Sequence, residues 1–157
     1  MATATFACGC FWSKQYHFDQ VEGVISTRVG FTGGHVPDVS YRQVCTKMTG
    51  HAEAVEVTYD PARVRYRQLL AAFFGMHDAG VDRREKGGQY RSALFYHTPA
   101  QAAQARAYLR DYADAGIVIY TELRPAQPFY AAAERHQGYC SVRGITPKIK
   151  GTTAGEE

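Results

Sequence analysis

The spacing of apolar positions changes period several times along the chain, and each change marks an element. Residues Thr3 to Cys8 form a short, mostly apolar run that reads as a strand. Phe11 to Asp19 reads as a helix and Gly23 to Phe31 as a second strand. A Gly-rich loop covers Thr32 to Asp38, and Tyr41 to Cys45 suits a helical turn. Ala54 to Tyr59 alternates with period two, as a half-buried strand does, and Asp60-Pro61 closes it. Tyr66, Leu69, Leu70, Phe73 and Phe74 then recur at helical spacing, the stripe of an amphipathic helix lying on a sheet.

His77 to Gln89 is polar and glycine-bearing and reads as a loop, and Ser92 to Tyr96 as a strand. Thr98, Pro99 and Gln101 stand where a helix start wants an N-cap, an N1 proline and an N3 amide, and that helix is expected to run to about Gly116. A strand over Ile117 to Glu122 and a helix around Ala131 to Gln137 complete the pattern. The order predicts an α+β two-layer sandwich: a ferredoxin-like β-α-β-β-α-β core with an added α-β unit, helices on a mainly antiparallel sheet, and an irregular C-terminal tail. There is no internal repeat and no linker, so residues 1–157 are expected to form one domain.

Composition narrows the function more than the fold. The net charge of +3 is small and the basic residues are scattered, which gives no footprint for nucleic acid. No apolar run reaches membrane-span length, and Met1 to Thr5 lacks the regions of a signal peptide, so a cytoplasmic protein is expected. In that compartment Cys8, Cys10, Cys45 and Cys140 point to catalysis, metal or plain packing rather than to a disulfide framework. Zinc sites favour paired Cys-x-x-Cys or closely spaced histidines. This chain has only Cys8-x-Cys10 and six dispersed histidines, so neither metal nor cofactor is expected.

The segment from Thr5 to Trp12 carries the most chemistry. It puts Cys10 at a strand-to-helix junction, where free N–H groups and the helix dipole favour a thiolate, beside Phe11 and the only tryptophan. The same residues also read as a buried Cys-Phe-Trp cluster. Glu53 shares a strand face with Val55, Val57 and Tyr59. Desolvation there would raise its pKa and suit it to general acid catalysis, although a strand-end glutamate can equally reach water. Tyr41 and Tyr90 are two of 11 tyrosines and by themselves read as packing.

Six blocks in order carry a resemblance: Gly9-Cys10-Phe11-Trp12, Val29 to Gly34, Thr49-Gly50-His51-Ala52-Glu53, His77-Asp78, Gly88 to Ser92, and Glu134 to Gln137. Together they resemble the A-type peptide-methionine sulfoxide reductases, from Thr5 to about Tyr139. The resemblance implies stereospecific reduction of the S epimer of methionine sulfoxide, free or in proteins, with electrons drawn finally from thioredoxin, and a monomer is expected. Position by position, it makes Cys10 the nucleophile, Phe11 and Trp12 the wall for the substrate methyl group, and Glu53 the proton donor. Tyr41 and Tyr90 become the hydroxyls that hold the sulfoxide oxygen. Chemistry agrees, because sulfur is open to thiolate attack once the oxygen can leave protonated.

Departures from the family pattern are local. Ser13-Lys14-Gln15 replaces Gly-x-Glu, and Asp38-Val39-Ser40 replaces Asn-Pro-Thr before Tyr41. The loop after Asp78 is short, which leaves Glu85 as the nearest match to an acidic substrate-binding residue. Cys8 replaces a small residue and stands too close to Cys10 for an unstrained bridge. Family members often carry recycling cysteines beyond the His-Gln motif, and Cys140 is the candidate here, whereas Cys45 matches a family cysteine expected to be buried and inert. Two other readings use part of this set: a thiol peroxidase or redox sensor built on Cys10 and Cys140, and a binding module for oxidised methionine.

Overall fold

The computed structural model describes residues 1–148, so the end of the expected tail and of the expected 1–157 domain lies outside the described residues. Six strands form one sheet in the order β5-β4-β1-β3-β2-β6. They are β1 Ala2–Cys8, β2 Val24–Thr32, β3 Ala52–Tyr59, β4 Ser92–Tyr96, β5 Glu122–Pro125 and β6 Tyr130–Ala131. The helices are α1 Phe11–Asp19, α2 Tyr41–Cys45, α3 Tyr66–Gly75, α4 Pro99–Asp114 and α5 Tyr139–Val142. The inner strands β4-β1-β3-β2 pair antiparallel throughout, the arrangement of a ferredoxin-like core, and α4 returns the chain to lay β5 parallel on β4. The fold is α+β, as the element order predicts.

One sheet face carries Phe6, Val55, Val57 and Leu94 and packs against Phe18 of α1 and Leu69, Leu70 and Phe73 of α3, all buried. Phe6 is the hub, with ring centroids 4.8 Å from Phe18 and 5.5 Å from Phe73. Cutting a ring so placed down to alanine costs about 3–5 kcal/mol. The other face is flat: Ala7, Ala52, Ala54 and Ala93 with Phe95, packed under Phe129. β1 runs out at Cys8 opposite Ser92, and β3 starts with Ala52 opposite Thr32, which brings Cys10, Glu53 and Tyr90 to one end of the sheet.

Two expected elements differ. The last long strand begins at Glu122 instead of ending there. Ile117 and Val118 are exposed, and Tyr120 donates its N–H to the Ala79 carbonyl rather than entering a ladder. The helix expected around Ala131 to Gln137 is instead the short strand β6 and a 3₁₀ turn over Glu134–His136. There the Gln137 amide clips to both Val29 backbone groups, with its Oε1 accepting from N at 2.9 Å and its Nε2 donating to O at 2.9 Å. These tertiary bonds override the local preference. Gly30 is needed beneath this edge, since a Cβ there would come within 2.4 Å of the Tyr130 carbonyl oxygen.

Candidate active site

Gly9 makes the turn from β1 into α1 with φ +113°, a conformation that side-chain-bearing residues rarely adopt, and this places Cys10 at the helix N-cap. Cys10 is exposed as a residue, and the Trp12 and Ser13 amides face its thiol. The expected net thiolate preference does not hold in this state. Partial desolvation raises the thiol above its ordinary pKa and the nearby Glu53 carboxylate adds to the rise, together outweighing the two amides and the Lys14 cation.

Glu53 is the buried acid of the site, at 1% exposure on the same face as Val55 and Val57. The first amide of α1, Phe11 N–H, donates to its Oε1 at 3.1 Å, and Gln89 Nε2 donates to its Oε2 at 2.7 Å. Burial raises its pKa, partly offset by those two donors and the Lys47 cation. The net upward direction is the one the strand pattern predicts for a general acid. Gln89 is fixed in turn, its carbonyl accepting from Glu53 N–H at 2.9 Å and its Oε1 from Lys47 Nζ at 2.8 Å. Sequence reasoning quoted Gln89 within a block but gave it no role. Its contact with Glu53 joins residues far apart in the chain, which local sequence pattern does not show.

Tyr41 opens α2, which Ser40 and Gln43 close with a capping box: Gln43 N–H donates to Ser40 Oγ at 3.3 Å and Ser40 N–H to Gln43 Oε1 at 2.9 Å. Its orientation is therefore secure without the Asn-Pro-Thr segment. Tyr90 stands beside it, and the two hydroxyls interact. Burial raises both, Tyr90 to about 12, with the charge of Glu53 adding to each, so both remain protonated donors at neutral pH. Cys45 corrects an expectation: it is exposed, because Val44 takes the inward position of the short helix. Its sulfur lies 3.5 Å from Gln89 Nε2 and also interacts with the Tyr41 hydroxyl.

Phe11 is buried against Phe31 and Tyr41, with centroids at 5.5 and 6.2 Å. Trp12 is partly buried and held from two sides. Its indole N–H donates to His136 Nδ1 at 3.1 Å, and its ring stacks on Tyr139 at 3.9 Å between centroids and 7° between planes. His136 belongs to a block quoted from the sequence, yet its contact with Trp12 spans most of the chain and is invisible to local reading.

Cys140 is buried directly behind this stack on α5, and its thiol donates to the Trp12 carbonyl at 3.5 Å. Burial raises its pKa, with Arg143 partly opposing. Cys8 lies in the core, where burial pushes its thiol up to about 12. Gln15, standing where the family has an acid, is buried and structural: its Oε1 accepts from Gly138 N–H at 2.9 Å and its Nε2 donates to Thr27 Oγ1 at 3.2 Å. Glu85 is set apart from the buried carboxylate, exposed on the rim of a cavity of about 520 Å³ that Gln89 and Tyr90 also line. The structure thus gathers Cys10, Phe11, Trp12, Tyr41, Glu53 and Tyr90, and leaves Cys140 behind Trp12 and Glu85 at the edge. Among the described residues no cluster of three or more His, Cys, Asp or Glu side chains could hold a metal ion, and no helix is long and apolar enough to cross a membrane.

An accessible thiol at a helix start, facing a buried acid and two phenols, defines a thiol-dependent catalyst. Comparison with known proteins gives the family. A sequence model described as peptide methionine sulfoxide reductase matches residues 2–150. The chain is 47% identical over 147 residues to the peptide methionine sulfoxide reductase MsrA of Methanoculleus marisnigri, covering 90% of each protein. It is 45% identical to the MsrA of Methanosarcina acetivorans, covering 93% of this chain and 81% of that one. Among solved structures it is similar to methionine sulfoxide reductase A of Corynebacterium diphtheriae, with TM-score 0.83, 34% identity, and 99% and 82% of the two chains covered. Mxr1 of Saccharomyces cerevisiae in complex with Trx2 matches with TM-score 0.62 and 26% identity, over 88% of this chain and 84% of that one. The chain belongs to the peptide methionine sulfoxide reductase family.

Proposed function

We propose that this chain reduces the S epimer of methionine sulfoxide, free or in proteins, to methionine, working in the cytoplasm as a single catalytic domain. The observation that carries the reading is the Glu53 carboxyl, buried with a raised pKa and fixed by Phe11 N–H and Gln89 at the end of the sheet that presents Cys10. Phe11 and Trp12 receive the substrate methyl group, and the Tyr41 and Tyr90 hydroxyls donate to the sulfoxide oxygen. Cys10 sulfur attacks the sulfoxide sulfur as Glu53 delivers a proton to the departing oxygen. The S–S bond so formed then breaks, its electron pair returning to the methionine sulfur as the hydroxyl passes to Cys10 sulfur, so that methionine leaves and Cys10 is a sulfenic acid.

Protonation of Glu53 assists the nucleophile as well, since loss of its charge removes one of the effects that disfavour the Cys10 thiolate. The Cys140 thiol then condenses with the sulfenic acid, releasing water and forming a disulfide, which thioredoxin reduces by exchange. The complex of yeast Mxr1 with Trx2 supports that choice of reductant. Turnover of the separated sulfoxide epimers with dithiothreitol tests the reading. Methionine should form from the S epimer and not from the R epimer. Equal rates on both, or turnover of hydrogen peroxide alone, would contradict it.

A further inference from the structure

A second cavity, of about 260 Å³, lies beside Trp12. Trp12, Tyr41, Arg135, His136, Tyr139 and Arg143 line it. Two of these, Trp12 and Tyr41, also belong to the proposed sulfoxide site, so the two sites share a wall. No acidic side chain lines it. Arg135 and Arg143 are exposed, and neither makes an ion pair among the described residues. Arg143 is held in place, with its guanidinium carbon 3.8 Å from the Tyr139 ring centroid and its Nη1 donating to the Tyr139 carbonyl at 3.3 Å.

His136 forms the buried wall of the cavity, at 4% exposure. An indole N–H can only donate, so its bond to Nδ1 makes that nitrogen the acceptor and leaves the proton of the neutral ring on Nε2. Nε2 is buried and finds no partner among the described residues. The ring stays neutral: burial lowers its pKa, and the charges of Arg135 and Arg143 lower it further, which places both guanidiniums within electrostatic reach of it. The positive charge of the cavity therefore rests on the two arginines, above a histidine with a spare donor.

We propose that this cavity is a carboxylate subsite, in which Arg135 and Arg143 bind an anionic group attached close to the sulfoxide side chain. The proposal rests on the reductase reading above. Two sources offer the same chemistry: the main-chain carboxylate of a free or C-terminal methionine sulfoxide, and the side chain of an aspartate or glutamate next to it in a polypeptide. The carboxylate would sit on guanidiniums that pair with no acid among the described residues.

The test compares kcat/KM for N-acetyl-methionine (S)-sulfoxide with that for its neutral N-methylamide at low and high salt. The acid should be preferred roughly threefold to tenfold at low salt, and the preference should shrink as salt screens it. In the Arg135→Gln, Arg143→Gln double variant the ratio of the two substrates should fall to near one. Short peptides with Asp or Asn beside the sulfoxide separate the sources, since an Asp preference that the double variant loses assigns a side-chain carboxylate. Equal use of acid and amide, together with equal use of Asp and Asn peptides, would overturn the proposal, as would a charge preference that survives in the double variant. Failure to turn over any of these substrates would strike the reductase reading instead.

Discussion

The two halves of the site are built differently. Cys10, Phe11 and Glu53 sit where β1, α1 and β3 meet, on backbone held by continuous ladders and a core centred on Phe6. Beyond the short strand β6, the segment from Ala133 to Val142, which carries His136, Tyr139 and Cys140, is held chiefly by side-chain clips. Gln137 bonds Val29 and Ala132, Gln15 bonds Gly138, and Tyr139 stacks on Trp12. The proposed nucleophile and proton donor thus rest on ladder-held backbone. Cys140, the proposed resolving thiol, rests on the part held chiefly by side-chain contacts. On the proposed resolution by Cys140, its thiol has to give up the Trp12 carbonyl and the two Cα atoms have to lie about 4.4–6.8 Å apart for the bridge to form.

The sharpest way to break this comparison is to remove the nucleophile. Cys10→Ser should lower S-epimer reduction by more than about 10³-fold, because a serine hydroxyl is far harder to ionise than a thiol. Far-UV spectra should stay unchanged. Glu53→Gln keeps shape and a donor but removes the proton, and the chemical step measured by rapid quench should fall about 10²–10⁴-fold. The same variant sharpens the electrostatics. The Glu53 carboxylate is one of the groups that raise the Cys10 thiol, since a neighbouring anion disfavours the thiolate. Its removal should therefore shift the pH profile of Cys10 alkylation by iodoacetamide to lower pH than in the unaltered enzyme.

Smaller effects belong to the clipped half. Gln137→Ala removes three hydrogen bonds, to Val29 N, Val29 O and Ala132 O, at 2.9, 2.9 and 3.0 Å. It should cost about 1–3 kcal/mol in denaturant unfolding and speed amide exchange in residues 130–142 while leaving exchange in β1 and β3 unchanged. Equal loss of protection in both halves would show that they do not unfold separately. Glu85→Gln, at the cavity rim, should raise KM by about threefold and leave kcat nearly unaltered, as expected for uniform binding.

What was legible in the sequence follows the same division. The span of α1, the capped start of α4 and the strand face of Glu53 are set by periodicity and capping chemistry within a few residues, and they appear as read. The region after Gly116 differs from its local pattern because its conformation comes from distant partners. Ile117 and Val118 look like strand residues yet are exposed, and the Ala-rich run before His136 looks helical yet pairs with Gly30 and Phe31. Gln89 and His136 escaped assignment for the same reason, since each acts through a residue far away in the chain. The thiolate preference inferred for Cys10 from its N-cap position was correct about the donors. It missed the opposing desolvation and the Glu53 charge, which only the assembled site supplies.

The most direct test of the account is a single turnover of Cys140→Ser on the S epimer without reductant, followed by dimedone trapping and mass spectrometry. The account predicts one equivalent of methionine per enzyme, a dimedone adduct on Cys10, and very slow recycling when thioredoxin is added, because no intramolecular disulfide forms. A bridge between Cys10 and Cys8 or Cys45 in this variant with normal recycling, or failure to form methionine at all, would contradict it.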